Sequence, residues 1–217
     1  AWQRGQPLVG LGRRAWPQID GNGPVGQGRE VFDPADRRRV IGAVVEATPG
    51  DVDTALNSAT AASSDWDRRG GTARAAILDR TADLMEHAMP ELMAIAVREG
   101  GKTLPDAVAE VREAVDFCRY YATGARRDFE RCALPGPTGE ANSLEQHGRG
   151  VFACISPWNF PIAIFTGQVA AALAAGNGVV AKPAEQTPLA AAAIIRLFHE
   201  AGVPPEVLHC LPGDGAT

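Results

Sequence analysis

Asn159, Lys182 and Glu185 are the residues of this chain whose type and spacing could do chemistry. Asn159 sits in Ser156-Pro157-Trp158-Asn159-Phe160-Pro161, and the other two open Lys182-Pro183-Ala184-Glu185-Gln186-Thr187-Pro188. A neutral amide is a good donor to an oxyanion that develops during a reaction, worth roughly 3 kcal/mol where such a donor has been removed. A lysine and a glutamate three residues apart offer a cation and an anion to one ligand. The carboxylate can accept from both hydroxyls of a ribose and would repel a 2′-phosphate, so Glu185 favours NAD over NADP. Each residue also has a plainer reading. Asn159 can cap a helix, Lys182 can snorkel to solvent from a strand end, and Glu185 suits the positive end of a helix dipole.

The elements around them decide where these groups point. Each motif follows a short apolar run, Val151 to Ile155 and Gly178 to Ala181, and precedes a helical stretch. The order reads strand (151–155), helix (about 160–175), strand (178–182), helix (188–201), strand (207–211). Such alternation predicts βαβ units and a parallel sheet, whose strand carboxyl ends are where ligands bind.

Upstream, residues 1 to about 30 read as an arm with one short strand. Val31-Phe32, the turn Asp33-Pro34-Ala35-Asp36 and a strand from Val40 to Glu46 suggest a hairpin. Thr48-Pro49 starts a helix to about Ser64, with Asp51 and Asp53 in its first turn. Thr72 is expected to cap a second helix with Ile77, Leu78, Leu84 and Met85 inward. Pro90 opens a third, ending near Gly100-Gly101. Thr103 opens the longest, whose stripe is Leu104, Val108, Val111, Val115, Cys118 and Ala122. Leu134 to Gly139 reads as a linker and Glu140 to Gly148 as an exposed strand. The expected divisions are 1–46 (arm and hairpin), 47–135 (helical part), 136–150 (linker or oligomerisation strand) and 151–217 (an incomplete βαβαβ sheet). The fold class is α/β: a helical N-terminal segment with small β elements leading into a parallel, Rossmann-like sheet.

Bulk properties exclude several classes. Hydrophobic content of 45% and charged content of 22% are globular, and a net charge of −5 gives no reason to expect nucleic acid. Arg37-Arg38-Arg39 reads as a solvated strand start. Ile162 to Ala175 is too short and too interrupted to cross a bilayer, and no signal peptide opens the chain. Cys118, Cys154 and Cys210 read as core residues, and Cys132 as a loop residue. None has metal-ligand spacing or an activating context. No metal site is expected, and a reduced, cytoplasmic setting fits. His87, His147, His199 and His209 read as structural or surface residues. Gly21-Asn22-Gly23-Pro24-Val25-Gly26 matches G-x-G-x-x-G, but no strand precedes it and no helix follows. Gly176 to Ala181 leads from helix into strand, the wrong direction for a phosphate cradle. Both termini look like cuts inside a longer protein.

Pro157-Trp158-Asn159-Phe160-Pro161, Gly176-Asn177, Lys182 to Pro188 and Pro212-Gly213 together resemble the aldehyde dehydrogenase superfamily. Ile19-Asp20-Gly21, Asp33-Pro34-Ala35 and Trp66 extend the resemblance over nearly the whole chain. Val111 to Tyr121 and Ile164 to Gln168 resemble, more particularly, the L-glutamate γ-semialdehyde (1-pyrroline-5-carboxylate) dehydrogenase module of bifunctional proline-utilisation proteins.

The resemblance implies NAD-dependent oxidation of an aldehyde to an acid. In that family a cysteine thiolate attacks the aldehyde, an Asn side chain and a backbone N–H hold the oxyanion, and hydride passes to the nicotinamide. A glutamate-activated water then cleaves the thioester. Asn159 matches the oxyanion residue. Lys182 and Glu185 match the adenosine-ribose ligands, Ile155, Ser156, Pro157 and Trp158 the wall beside the nicotinamide ribose, and Gly213 the adenine side, with Ala184 also among the cofactor-binding positions. Glu113 and Phe160 match positions lining the aldehyde pocket, although Glu113 also reads as a surface acid. The resemblance further implies a homo-oligomer, and fusion to a proline dehydrogenase domain. The family's nucleophile setting, Gly-Gln-x-Cys, and general-base setting, Glu-Leu-Gly-Gly, do not occur in this sequence, so the chain alone is expected to be inactive. A dehydrogenase for another aldehyde and a non-catalytic nucleotide-binding or assembly homologue are the alternatives.

Overall fold

The computed structural model describes residues 13–22, 26 and 28–216. The first twelve residues of the expected arm, and Gly23 to Val25 of its glycine-rich motif, lie outside them. The short strand of the arm is β1 (Arg14–Ala15), which pairs parallel with β3 (Asp36–Val44). The expected hairpin is β2 (Arg29–Asp33) with β3, antiparallel and irregular in register around Phe32. β3 begins at Asp36 rather than Val40. Arg38 and Arg39 pair there with Asp36 and Asp33, so the basic cluster is a solvated strand start.

Four helices follow: α1 (Pro49–Arg68), α2 (Gly70–His87), α3 (Met89–Gly100) and α4 (Leu104–Asp128). Thr48 and Asp51 form a full capping box on α1, and the Thr103 hydroxyl accepts from Asp106 N on α4. Thr72 is not a cap. α2 starts directly after α1, at Gly70, and the Thr72 hydroxyl instead donates to Glu130 Oε1 at 2.5 Å. The stripe of α4 is also finer than expected. Leu104 is 44% exposed and Val108 half-buried. Ala107, Val111, Ala114, Val115, Cys118, Ala122 and Ala125 make the buried face. Alanines at these positions let α4 approach α2 and α5 closely, which large side chains would prevent.

The segment expected as linker and exposed strand is a small hairpin, β4 (Cys132–Leu134) against β5 (Asn142–Leu144), exposed throughout. Cys132 is therefore a strand residue, not a loop residue. Beyond it the alternating pattern forms as expected: β6 (Val151–Ile155), α5 (Ala163–Ala174), β7 (Gly178–Lys182), α6 (Pro188–Ala201) and β8 (Leu208–Cys210). The three strands form one parallel sheet in the order β6-β7-β8. Gln18 of the arm pairs with Cys210 at its far side.

β7 is apolar from Gly178 to Ala181 because both its faces are covered there. Val179 and Ala181 join the main core with α5 and α6, while Val180 meets Ala55 and Ala59 of α1 on the other face. A Cβ at Gly178 would lie 2.9 Å from the Ala59 carbonyl oxygen, so the close crossing of α1 requires glycine there. α2, α3 and α4 stack behind α5 and α6. Two buried side chains tie these layers together. Trp66 Nε1 donates to Leu173 O at 3.0 Å, and Arg74 Nε to Ala174 O at 3.0 Å. The three remaining cysteines are buried, and burial pushes Cys118 and Cys210 up to about 12 and Cys154 up to about 11, which keeps them as inert thiols.

The connection into β6 is clamped by two polar side chains. Asn177 Oδ1 accepts from Arg149 N and Gly150 N, and Asn177 Nδ2 donates to Ala172 O. The Asp67 carboxylate accepts from Gly148 N at 2.9 Å and meets His147 Nδ1 at 2.8 Å. The hydrogen bond to Asp67, and then its charge, raise the pKa of the exposed His147 above its ordinary 6.5. This contact stabilises the fold fully below about pH 6.5 and is lost as pH rises through the raised folded value. An NMR titration should find the His147 midpoint elevated and lowered in Asp67→Asn, with Glu145 still raising what remains. An unchanged midpoint in that variant would refute the linkage.

Candidate active site

The two motif turns leave neighbouring strands in register. Ile155 pairs with Lys182, and Ser156 N donates to Lys182 O at 3.2 Å. The third strand joins the same edge, since Leu211 N donates to Ala181 O at 2.9 Å and Gly213 follows two residues later. The 155–160, 182–187 and 211–213 segments therefore emerge side by side at the carboxyl end of one parallel sheet.

Each residue read from the sequence has a definite place on this edge. Ser156 and Gly213 are buried. Lys182 and Ala184 are half-buried. Pro157, Asn159 and Glu185 are exposed, as are Ile155 (67%), Trp158 (56%) and Phe160 (38%), an apolar surface beside the amide. Glu113 is exposed on α4. It follows Glu110 by three residues and precedes Phe117 by four, so it shares their helix face. Phe117 in turn faces Gly167 of α5, whose Cβ would lie 3.0 Å from the ring.

The plainer readings of Asn159 and Glu185 can now be compared with their contacts. Asn159 is not a helix cap. α5 begins after Ile162, and the N–H groups of Ile162 and Ala163 donate to Glu110 Oε2 at 3.1 and 3.0 Å. Glu185 does not cap α6 either. The N–H groups of Leu189 and Ala190 donate to the two oxygens of Glu99, both at 2.7 Å. Burial pushes the Glu99 carboxyl up to about 8, against the pull of those two donors. Among the described residues, no side chain or backbone group pairs with the polar head of Asn159, Lys182 or Glu185. An amide, an ammonium and a carboxylate thus stand free on adjoining strand exits, an arrangement that a ligand with a ribose and a polarised oxygen could satisfy.

A cavity of about 590 Å³ opens beside the second turn, lined by Glu185 and Gln186, by Glu99, and by Arg29, Phe32 and Arg37 of the hairpin. It reaches the carboxylate but not Asn159, which lies on the open surface. Among the described residues no group of three or more His, Cys, Asp or Glu could hold a metal ion, and no helix is long and apolar enough to cross a membrane.

Residues 22–217 match the aldehyde dehydrogenase family model. The chain belongs to the aldehyde dehydrogenase family. Within that family, the bifunctional protein PutA of Escherichia coli (strain K12) is 50% identical over 204 residues, which are 94% of this chain and 14% of that protein. The alpha-ketoglutaric semialdehyde dehydrogenase of Bacillus subtilis (strain 168) is 39% identical over 190 residues, 87% of this chain and 38% of that protein. The solved structure of 1-pyrroline-5-carboxylate dehydrogenase from Thermus with bound NAD superposes with a TM-score of 0.88 at 36% identity, covering 95% of this chain and 40% of that one. The chain therefore spans about a seventh of PutA and about two fifths of the other two aldehyde dehydrogenases.

Sequence reasoning missed Glu99 and Glu110, the two carboxylates that hold the helices behind this aldehyde dehydrogenase edge. One signal was available for Glu110. It falls at a core-facing position, between Ala107 and Ala114 on α4, where an acid is costly unless it is paired and hydrogen-bonded.

Proposed function

We propose that this chain forms the amide and cofactor side of an NAD-dependent aldehyde dehydrogenase that oxidises L-glutamate γ-semialdehyde to glutamate in proline catabolism. The observation that carries the reading is the pairing of Ile155 with Lys182, which sets the free heads of Asn159, Lys182 and Glu185 on adjoining turns. The 50% identity to a PutA supports the substrate class. In this reading the Asn159 amide donates to the oxyanion that develops on the aldehyde oxygen. The Glu185 carboxylate accepts from the ribose hydroxyls with Lys182 beside it. Ile155, Ser156, Pro157 and Trp158 form the wall by the nicotinamide ribose. Ala184 and Gly213 border the adenosine, and Phe160 and Glu113 line the aldehyde pocket. NAD supplies the hydride acceptor when bound.

The proposal extends to the whole protein. It is a cytoplasmic homo-oligomer in which a proline dehydrogenase domain is fused to this one, and residues 1–46, 47–135, 136–150 and 151–217 serve as arm, helical part, linker and first part of the cofactor sheet. Neither a Gly-Gln-x-Cys nor a Glu-Leu-Gly-Gly setting occurs in these 217 residues, so the chain alone carries one member of the catalytic set. The likeness to an alpha-ketoglutaric semialdehyde dehydrogenase supports a second substrate reading. Assay of NADH formation decides between them. The full-length protein should turn over glutamate semialdehyde faster than α-ketoglutaric semialdehyde, and this chain alone should yield no NADH. The reverse preference, or a burst from the chain alone, overturns the corresponding part.

A further inference from the structure

The segment that follows Asn159 rests on a charge pair, Lys102 of the turn between α3 and α4 and Glu110 of α4. Glu110 is 2% exposed and holds the first N–H groups of α5, those of Ile162 and Ala163. Lys102 Nζ lies 2.9 Å from Glu110 Oε1, yet that oxygen has no aligned hydrogen-bond donor, so the attraction between the two is coulombic. The same ammonium sits over the Phe160 ring, 4.4 Å from its centroid, an arrangement in which the ring face attracts a cation. Gly101, at φ 65°, turns the chain out of α3 so that Lys102 reaches inward. Gly100 packs below Pro161, whose Cγ would be 3.5 Å from a Cβ placed there. Phe160, Pro161, Ile162 and Ala163 are therefore all held from one side. The Asn159 head has no partner of its own, so the backbone on its two sides sets its direction: Ser156, bonded to Lys182 O, before it and this segment after it.

We propose that Lys102 and Glu110 are positioning residues for the Asn159 amide, anchoring the Phe160–Ala163 segment through a backbone clamp and a cation over the ring. The inference rests on the reading that Asn159 meets an oxyanion. A donor serves a developing charge only when it is already aimed at it, so loosening the segment should slow chemistry and leave cofactor binding unaffected.

Two readouts test this. Hydrogen exchange reports the segment and steady-state kinetics report catalysis, both measured on the full-length dehydrogenase. Lys102→Met keeps the stem without the charge, Lys102→Arg keeps the charge, and Glu110→Gln keeps the shape. In Lys102→Met the amides of Ile162 and Ala163 should exchange at least tenfold faster, while Leu189 and Ala190, held by Glu99, stay unchanged. The kcat should fall at least tenfold with the KM for NAD within twofold, and Lys102→Arg should restore most of both. Unchanged exchange at Ile162 and Ala163 in both Lys102→Met and Glu110→Gln overturns the proposal whatever the kinetics. Faster exchange with unchanged kcat overturns it if Asn159→Ala is slow in the same enzyme. If Asn159→Ala is equally fast, the oxyanion reading has failed, and the faster exchange upholds the anchoring alone.

Discussion

Asn159→Ala should lower kcat of the full-length dehydrogenase by about 10²- to 10³-fold, the loss seen when one oxyanion donor is removed. The KM for NAD should stay within about twofold, because an interaction made only in the transition state contributes to kcat and not to ground-state binding. The structure makes this a clean substitution. Asn159 is exposed, caps no helix and has no partner among the described residues, so its loss leaves no buried group unsatisfied. Stability should change by less than about 0.5 kcal/mol, as for a surface site. Steady-state NADH formation and thermal unfolding of the same preparation check both halves. A loss confined to KM would mean that the amide binds substrate without assisting the reaction.

Trp66→Ala should destabilise the chain by about 3–5 kcal/mol. Trp66 is 1% exposed and lies where α1 meets the end of α5, under the Arg69 guanidinium at 5.4 Å. Removing the ring leaves a cavity that the surrounding helices can close only in part. It also orphans the Leu173 carbonyl, which accepts from the indole N–H. Trp66→Phe separates the two effects. It keeps most of the volume and loses the donor, at a cost of about 1–3 kcal/mol. Denaturant unfolding should show a lower midpoint at unchanged slope for both variants. A Trp66→Ala loss below about 1 kcal/mol would show that this junction does not hold the layers together.

The parts of the structure that were legible in the sequence are those set by nearby residues. Thr48 with Asp51 and Thr103 with Asp106 cap their helices across three residues, and each pair can be read directly. The apolar run of β7 and the alternation after residue 150 report burial periodicity, so the parallel sheet and its strand ends were also accessible. The local readings failed where a neighbouring element overrode them. Thr72 looks like a cap, but α1 runs into α2 at Gly70 and leaves no free helix start at that residue. Leu104 and Val108 look like core residues, but α4 turns its alanines inward because α2 and α5 lie close.

The amino-acid sequence by itself determined which chemistry is present: an ammonium at 182 on the last residue of a strand, and an amide at 159 and a carboxylate at 185 just beyond strand ends. Only the tertiary structure decided that these heads are free. The helix starts open to Glu185 and Asn159 are taken by Glu99 and Glu110, which reach them 90 and 52 residues further along the chain. No periodicity or spacing records such pairings. A buried carboxylate is matched to its N–H donors by the packing of whole helices, and that packing exists only once the chain has folded.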